Sequence, residues 1–454
     1  MLVIISDLHL TDGTSGETIG SHAFKIFRER IRNLAYEASW RSNGKYVPLK
    51  ELDIILLGDV LDVIRSQKWI ETDLRPWDDS TNEDFIKVVA QINEDILGNE
   101  KNVESFKVLR GMSLKNEITL PPATAYGKPA KVGHHYQADQ RIPVSVKIHY
   151  MVGNHDWFYH LPGKGYNEIR KKVVETLGLA NEPNLPFSHD PAESKELSNV
   201  LKAHKVFARH GDIFDAFNYE NDRNQSSLGD AIVVELLNRF PTAVEKEFGH
   251  QLPKECTNGL KEIDNVRPHL MIPFWIEGLL QRTCSSQESK KNVKKVWNDL
   301  ADKFLELDFV KERDQNFKWD NVDALQAGLK ISQLTSFEKI NSIIMKVKKL
   351  LQGEESYFKD AMKENEFKNR EAKFIVYGHT HGYELVPLDC NSANGSDFNQ
   401  MYINSGTWRT VHQLSQANPE AKKFISYKVM TYLAFFKNDE RAGRDFEVWT
   451  GQLG

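Results

Sequence analysis

The chain has 454 residues, of which 40% are hydrophobic and 27% charged, and this composition excludes disordered, collagen-like and disulfide-framework proteins. Its 59 Lys and Arg residues against 64 Asp and Glu give a formal charge of −5, so no global basic field would collect nucleic acid or anionic membrane. Three cysteines without a C-x-x-C motif indicate neither a disulfide framework nor a zinc knuckle, and we expect a reducing compartment.

The N-terminus opens with an apolar run, Leu2 to Ile5, that stops before Asp7. This run is far too short for a signal or membrane helix, and it carries neither a basic leader nor a small-residue cleavage site. The longest later apolar stretch, Met271 to Leu280, contains Pro273 and Glu277 and is also too short to span a bilayer. We therefore predict a cytoplasmic protein without a membrane span.

Several short apolar runs rich in β-branched residues predict buried strands. In chain order they are Leu2 to Ile5, Ile54 to Leu57, Val144 to Val152, Val206 to Ala208, Phe374 to Tyr377 and Met401 to Ile403. Five of them lead into polar segments, which are Asp7-Leu-His9, Gly58-Asp59-Val-Leu-Asp62, Gly153-Asn154-His155-Asp156, His210-Gly-Asp212 and Gly378-His379-Thr-His381. Because ligands bind beyond the carboxyl ends of strands in layered α/β sheets, we expect these segments to meet in one cleft.

Two long stretches separate the polar segments, and we interpret both as insertions. The first, residues 64–140, has a helix pattern from Glu83 to Leu97 followed by a Pro- and Gly-containing region, which predicts an accessory hairpin or lid. His134 and His135 look like a metal motif, but no strand pattern precedes them and we assign them to a loop. The second, residues 219–372, has apolar residues every three or four positions at 293–307 and 337–351, which predicts a helical cap.

The C-terminal region is rich in Tyr, Phe and Val. Residues 424–436 and 446–449 alternate as strands do, and we expect them to complete a second sheet. The core would then consist of residues 1–63, 141–218 and 373–454, with the two insertions between its parts.

The polar segments share a donor set of carboxylates, an amide and imidazoles without thiolates. Such a set suits Mn, Fe, Zn, Ni or Co. Asp7 and His9 lie two residues apart, so an extended backbone would point both to the same side, and His379 and His381 have the same spacing. These residues therefore predict a site for divalent cations.

Together and in this order, the five polar segments resemble the calcineurin-like metallophosphoesterase superfamily. The resemblance implies an α/β protein with a four-layer αββα sandwich, here enlarged by a helical cap, and a binuclear metal centre. It also implies a hydrolase of phosphoric esters, a phosphatase or phosphodiesterase, in which a metal-bound hydroxide attacks phosphorus in line.

The resemblance further implies a role for each residue. The ligands of the first metal would be Asp7, His9, Asp59 and His381. The ligands of the second would be Asp59, Asn154, His210 and His379, with Asp59 bridging. His155 would contact the phosphate or protonate the leaving oxygen, because the pKa of imidazole lies near neutral pH, and Asp156 would orient it. Asp62 and Asp212 would fix histidine tautomers, or would cap helices and turns instead.

Two alternatives to a phosphatase or phosphodiesterase of small molecules stay open. The same chemistry on a nucleic acid would make the chain a nuclease, although its acidic charge argues against this. A non-catalytic scaffold of the same fold usually lacks metal ligands, whereas every expected ligand position is filled here. We expect a phosphorylated small molecule or nucleotide-type substrate, with nucleic acid as the alternative. Further residues adjoin the polar segments, either as core or wall residues or as substrate contacts: Trp157, Tyr159, His160, Tyr383, Trp408 and Arg409.

Overall fold

The computed structural model describes residues 1–16, 18–130, 140–267, 271–314, 356–391 and 398–453. The loop predicted around His134 and His135 and the helix predicted at 337–351 lie outside these ranges.

The strands confirm the apolar runs that the sequence marks out, with ends that differ by a few residues. They are β1 (Leu2–Ile5), β2 (Glu51–Leu57), β3 (Thr119–Leu120), β4 (Ile142–Pro143), β5 (Ser145–Met151), β6 (Val206–Ala208), β7 (Val266–Arg267), β8 (Phe374–Tyr377), β9 (Tyr383–Asn391), β10 (Phe398–Ser405), β11 (Thr410–Leu414), β12 (Phe424–Phe435) and β13 (Phe446–Leu453).

The described helices all lie between the first and the last of these strands. They are α1 (Ser21–Ala38), α2 (Lys68–Glu71), α3 (Glu83–Gly98), α4 (Glu100–Leu114), α5 (Lys164–Leu177), α6 (Lys195–Ala203), α7 (Leu228–Ile232), α8 (Arg239–Phe248), α9 (Lys254–Lys261), α10 (Ile272–Thr283), α11 (Gln287–Leu305), α12 (Asp308–Lys311), α13 (Phe358–Ala361) and α14 (Asn365–Lys368). The predicted helices at 83–97 and 293–307 correspond to α3 and to the C-terminal part of α11.

The larger sheet has the strand order β5-β2-β1-β12-β11-β7, with β13 paired to the other edge of β12. Strands β5, β2 and β1 are parallel, so their carboxyl ends lie at the same edge. Strand β12 is antiparallel to β1, with Leu2 opposite Phe435. The C-terminal strands therefore extend the sheet of β1, and our assignment of them to a second sheet is wrong. Alternation predicts a strand but does not select its neighbours.

The smaller sheet has the order β6-β8-β10-β9. Strands β6, β8 and β10 are parallel, and β9 returns antiparallel to β10. A separate pair of short antiparallel strands consists of β3, which lies within the first insertion, and β4, which lies just after it.

The side chains of β1 point alternately to the two faces of the larger sheet, and each face packs in a different apolar cluster. Leu2 and Ile4 are fully buried in a cluster that also holds residues of β6, β8 and β10, so this cluster joins the two sheets. Val3 and Ile5 point to the opposite face and share a second cluster with Phe24 and other residues of α1. Burying each such side chain contributes roughly 1.5–3 kcal/mol. The protein is an α/β protein with mixed sheets, as the sequence predicts.

Alternation in β8 has the same result in the smaller sheet. Phe374 and Val376 belong to the cluster between the sheets, whereas Ile375 and Tyr377 pack with Ala361 of α13 on the other face. The buried runs thus hold the strands between apolar layers, and the polar segments that follow them stay buried, with Asp7, His9 and Asp59 at most 1% exposed. Among the described helices, none has both the length and the apolar character that crossing a bilayer requires.

Candidate metal centre

The seven predicted metal ligands follow five different strands, and the structure brings them together. Asp7 and His9 follow β1, Asp59 follows β2, and Asn154 follows β5. His210 follows β6, and His379 and His381 follow β8. The side chains form two groups that share Asp59.

The first group consists of Asp7, His9, His381 and one oxygen of Asp59. His381 Nε2 lies 3.3 Å from Asp7 Oδ1 and 3.0 Å from His9 Nε2. His9 Nε2 is 3.9 Å from Asp7 Oδ1 and 3.7 Å from Asp59 Oδ2. The ligand atoms of Asp7, His9 and His381 all lie within 4.8 Å of one another, which is the spacing of donors around a single cation.

The second group consists of Asp59, Asn154, His210 and His379. His210 Nε2 lies 3.2 Å from Asp59 Oδ2, the same oxygen that faces His9. Asn154 Oδ1 is 3.0 Å from His379 Nδ1. Ligand atoms of Asp59, His210 and His379 again fall within 4.8 Å of one another. Asp59 Oδ2 is therefore placed between the two groups, as a bridging ligand must be.

Two buried atoms in these groups test whether the residues fit a pair of cations. Asp7 Oδ1 and His210 Nε2 are enclosed, and neither has a hydrogen-bond partner among the described residues. Leaving such an atom unsatisfied costs about 1–3 kcal/mol, and native proteins leave few of them. Both atoms point into the groups described above, and carboxylate oxygen and imidazole nitrogen are ligands of divalent transition metals. The residues fit the metals that the sequence predicts.

Hydrogen bonds on the far side of three histidines fix which ring nitrogen faces the site. His9 Nδ1 lies 2.8 Å from Asp62 Oδ2, and His210 Nδ1 donates to the Leu57 carbonyl at 2.8 Å. His379 Nε2 lies 3.0 Å from Asp215 Oδ2. A carboxylate or carbonyl partner of this kind orients a metal-binding imidazole and raises its basicity.

Asp62 has the tautomer-fixing role that we predicted for it, but Asp212 does not. The Asp212 carboxylate pairs with Arg223 within a buried loop, and no histidine contacts it among the described residues. The equivalent role belongs to Asp215, which we did not predict. The sequence does carry a signal for it, because Gly211-Asp-Ile-Phe-Asp215 repeats the pattern of Gly58-Asp-Val-Leu-Asp62.

Asn218 is a second supporting residue that sequence reasoning missed. It donates through Nδ2 to Asp215 Oδ2 at 2.8 Å and accepts from Asn154 Nδ2 at 3.2 Å. This chain fixes the orientation of the Asn154 amide, so that its oxygen faces His379. The amide oxygen, and not the amide nitrogen, is thereby presented as a ligand.

His155 lies beside the first group and contacts a different carboxylate from the one we expected. Its Nδ1 is 2.8 Å from Asp62 Oδ1, and its backbone N–H donates to Asp59 Oδ1 at 2.8 Å. Burial lowers the pKa of His155, but the negative charges of Asp62 and Asp59 outweigh burial and raise the pKa to about 10. These carboxylates therefore favour the protonated imidazole, in which Nε2–H is left to donate.

The prediction that Asp156 orients His155 is wrong. Asp156 Oδ1 accepts from the N–H of Gly153 at 2.6 Å, and Oδ2 accepts from the N–H of Val60 and the hydroxyl of Tyr150. The physical reason is that the chain turns back after Gly153, which directs this carboxylate into its own loop and onto the loop that carries Asp59. Burial, together with the charge of Asp59, raises the pKa of Asp156 to about 7.

Asp7 and Asp59, the carboxylates of the two groups, have pKa values that are shifted in opposite directions. Burial and the neighbouring charge of Asp59 raise the pKa of Asp7 to about 6, although His210 opposes this shift. Burial also acts to raise the pKa of Asp59, but His210 and His155 outweigh it and hold the pKa well below its usual value. The carboxylate that the two groups share is therefore the one that keeps its charge more readily.

The backbone at five of the seven ligands is left-handed. The φ angles are 54° at Asp7, 45° at His9, 53° at Asp59, 69° at His379 and 63° at His381. Non-glycine residues rarely adopt this conformation, although Asp and His tolerate it better than most. Strained backbone of this kind concentrates at functional sites, where surrounding structure holds it.

Two glycines, Gly58 and Gly153, leave room for His210 to approach Asp59. A Cβ atom on Gly153 would lie 2.3 Å from Asp59 Oδ1 and 2.7 Å from His210 Nε2, and one on Gly58 would lie 2.4 Å from His210 Nδ1. Gly58 also has a φ of 81°, which side chains rarely adopt. Neither position accepts a side chain without displacing Asp59 or His210.

The residues that adjoin the polar segments differ in burial and in their partners. Trp157, Tyr159 and Trp408 are buried, and each donates a hydrogen bond within the protein, to Asp230, Asn93 and the Thr431 carbonyl. Burial of this kind identifies all three as packing residues. His160 lies 2.8 Å from the Phe187 carbonyl, Tyr383 is exposed, and Arg409 lies 2.7 Å from Asp264.

Comparison of the chain with protein-family models and with curated proteins gave no match. The geometry of the two groups therefore carries the functional interpretation. Hard and borderline donors around two adjacent positions, with a cationic imidazole beside them, are suited to binding an anionic substrate and to transferring a proton to it.

Proposed function

We propose that the chain is a di-metal-dependent phosphoric ester hydrolase of the calcineurin-like type, with a four-layer αββα core and a helical cap within residues 219–372. The observation that carries this proposal is the meeting of seven side chains from five strand ends in two groups that share Asp59 Oδ2. Any one of the motifs can occur in a sequence by chance. Because the side chains meet at one place, however, each of them lies beside other side chains that could bind the same cation.

The first group would hold one divalent cation, and the second group the other. The candidates are Mn, Fe, Zn, Ni and Co, and the shared ligand would be Asp59. Bound together at such a site, two divalent cations polarise phosphoryl oxygens and supply a hydroxide nucleophile near neutral pH.

His155 would hold the proton that the leaving oxygen needs. Its Nδ1 is engaged by Asp62, so the remaining Nε2–H is the donor, and 13% of its side chain is exposed. Asp59 contributes to the raised pKa of His155. Neutralising that charge would bring the pKa down toward working pH, where a general acid is most effective. Asp62 keeps the imidazole in position through the transfer.

A phosphatase assay with reconstituted metal tests the proposal. The protein would be loaded in turn with Mn, Ni, Co, Zn and Mg and given bis(p-nitrophenyl) phosphate and p-nitrophenyl phosphate, while bound metal is counted by mass spectrometry. We expect two metal equivalents and hydrolysis at least about 100-fold above that of Asp59→Asn. Asp389→Asn, which removes an exposed carboxylate paired with Arg370, is the matched control and should behave as the unchanged protein.

The same experiment separates the alternatives. A folded protein that stays inert and binds no metal after reconstitution would contradict the proposal and favour a scaffold. Single-stranded oligonucleotides are included as substrates, because the chemistry extends to nucleic-acid diesters. Cleavage of oligonucleotides that is lost in His155→Ala, without turnover of small esters, would identify a nuclease.

A further inference from the structure

Two histidines and a glutamate form a cluster of possible metal ligands outside the two metal groups. One ligand atom from each of His160, His189 and Glu193 lies within 4.8 Å of the other two. His189 Nδ1 is 2.9 Å from Glu193 Oε1, and His160 Nδ1 is 4.0 Å from Glu193 Oε2. The two imidazole rings are T-shaped to one another, with centroids 4.9 Å apart. We call these three residues the third group.

The third group joins two segments that the backbone already holds together. His160 ends one short 3₁₀-helix, and Glu193 ends another that begins two residues after His189. The N–H of Phe187 donates to the Tyr159 carbonyl at 3.0 Å, one residue before His160 and two before His189. The approach of the two histidines is therefore set by the backbone.

The His160 ring is oriented in the same way as one of the predicted metal ligands. Its Nδ1–H donates to the Phe187 carbonyl at 2.8 Å, as Nδ1 of His210 does to the Leu57 carbonyl. The lone pair of the neutral ring is then on Nε2. Burial lowers the pKa of His160, which favours this neutral form, and a carbonyl partner supports a metal-binding imidazole.

The side chains of His189 and Glu193 lie close together without forming a hydrogen bond. Although Nδ1 of His189 is only 2.9 Å from Glu193 Oε1, this enclosed nitrogen has no hydrogen-bond partner among the described residues. Two ligands of one cation have this relationship, because each atom points at the ion and not at the other ligand. A cation would satisfy the nitrogen, which is costly to leave without a partner.

The other oxygen of Glu193 holds the carboxylate in place. Oε2 accepts from the backbone N–H of His189 at 2.9 Å and from that of Asp190 at 3.4 Å, which forms a capping box. No backbone N–H in the described ranges donates to Oε1. The capping box thus orients the carboxylate and leaves Oε1 beside His189 Nδ1.

Two arginines near the third group are paired with other carboxylates. Arg209 lies 2.8 Å from Asp190, and Arg223 pairs with Asp212. Within the part of the chain that the structure describes, neither arginine pairs with Glu193. The third group therefore offers one carboxylate charge and two imidazoles to a cation.

We infer that the third group is a mononuclear zinc site, separate from the two metal groups. Two imidazoles and a carboxylate are a ligand set of zinc, whose bonds of about 2.0–2.2 Å place its ligand atoms about 3–3.5 Å apart. The side chains of His160, His189 and Glu193 are 15%, 23% and 34% exposed, so an ion can enter from solvent and water can complete its coordination. The inference goes beyond the proposed function and does not depend on it.

Counting bound zinc by native mass spectrometry after buffer exchange tests the inference without a substrate. We expect Glu193→Gln to bind one zinc equivalent fewer than the unchanged protein. Glutamine keeps an acceptor oxygen for the capping box but lacks the charge of the ligand, so the variant separates metal binding from folding of the loop.

His189→Gln should lose the same equivalent. Loss of a residue that only supports a ligand already weakens metal binding about 10–100-fold. In a calorimetric zinc titration we therefore expect this equivalent to bind at least about 10-fold more weakly in both variants.

His149→Gln is the matched control. His149 also lies beside a carboxylate, 3.2 Å from Asp53, but this pair has no third ligand among the described residues. It should bind as much zinc as the unchanged protein. An unchanged zinc count in either Glu193→Gln or His189→Gln would overturn the inference, and so would the same loss in His149→Gln.

The zinc site and the hydrolase fail separately. If one zinc equivalent depends on Glu193 while no phosphoric ester is hydrolysed, the zinc site stands and the hydrolase is wrong. If esters are hydrolysed while Glu193→Gln keeps every zinc equivalent, the hydrolase stands and the zinc site is overturned.

Discussion

Asp62 places its Oδ1 atom 2.8 Å from Nδ1 of His155, and its Oδ2 atom lies 2.8 Å from Nδ1 of His9. One buried carboxylate therefore orients both a predicted metal ligand and the predicted proton donor. Burial acts to raise the pKa of Asp62, but the two histidines hold it well below its usual value. The metal group and the proton donor cannot move independently while Asp62 keeps its charge.

Substituting Asp62 with asparagine should damage both functions at once. An amide has one acceptor oxygen, so Asp62→Asn can serve only one of the two histidines and removes the charge that stabilises the His155 imidazolium. We expect kcat to fall by at least about 100-fold and metal affinity by about 10-fold. Steady-state kinetics and metal titration measure these changes. An effect on kcat alone would show that His9 does not need this partner.

Asp215→Asn should weaken metal binding by the second group only, unlike Asp62→Asn. His379 loses the carboxylate that fixes its tautomer, while His155 keeps Asp62. We expect about 10–100-fold weaker binding of one metal equivalent, with the other equivalent unchanged. Metal titration followed by mass spectrometry would resolve the two equivalents. Equal loss of both would contradict the division of ligands between the groups.

Gly153→Ala should abolish the site through a single methyl group. Its Cβ would lie 2.3 Å from Asp59 Oδ1, so Asp59 must leave its bridging position. Gly382→Ala is the matched control, since it follows His381 directly but its Cβ would meet nothing within 4 Å. We expect loss of bound metal and activity in the first variant and neither loss in the second. Full metal content in Gly153→Ala would show that the approach of Asp59 to this glycine is dispensable.

The Asp230 carboxyl group makes the free energy of unfolding depend on pH. Asp230 is not a member of either metal group. It is buried, accepts from Ser226, Ser227 and Trp157, and burial raises its pKa to about 6. A carboxyl group with a raised pKa in the folded state favours folding most below its unfolded pKa, and this contribution is lost as pH rises through the folded pKa.

Asp230→Asn removes that titration. The stability of the unchanged protein relative to Asp230→Asn should therefore fall by about 2–3 kcal/mol between pH 4 and pH 7. Urea unfolding of both metal-free proteins across this range measures the difference. A difference that stays constant with pH would contradict the expectation.

The strands and the candidate site residues that follow them could be predicted from the sequence because both are local signals. The bounds of β1, β6 and β8 agree with apolar runs that stop at polar residues, and alternation makes such runs recognisable. Each candidate ligand lies within a few residues of a strand end, so parallel pairing places the candidates at one edge of each sheet, and the packing of the two sheets then brings both sets together.

Features that depend on distant contacts could not be predicted in the same way. The buried residues of α4 include Asn102, Ser105 and Gly111, so this helix lacks a clear apolar stripe. The partner of β12 is chosen by register with β1, which alternation does not encode. Arg267 reaches His381 across more than one hundred residues of chain, and the residue itself carries no local sign of that contact.

The left-handed backbone at Asp7, His9, Asp59, His379 and His381 has an evolutionary consequence. Each such residue stores about 1 kcal/mol or more of conformational energy that glycine at the same position would release. At Asp7, His9 and Asp59, however, glycine would also remove a buried side chain and add freedom to the unfolded chain, and both effects oppose the gain. The strain can therefore be relieved only by giving up the donor atoms, so the backbone conformation and the donor set would be kept or lost together.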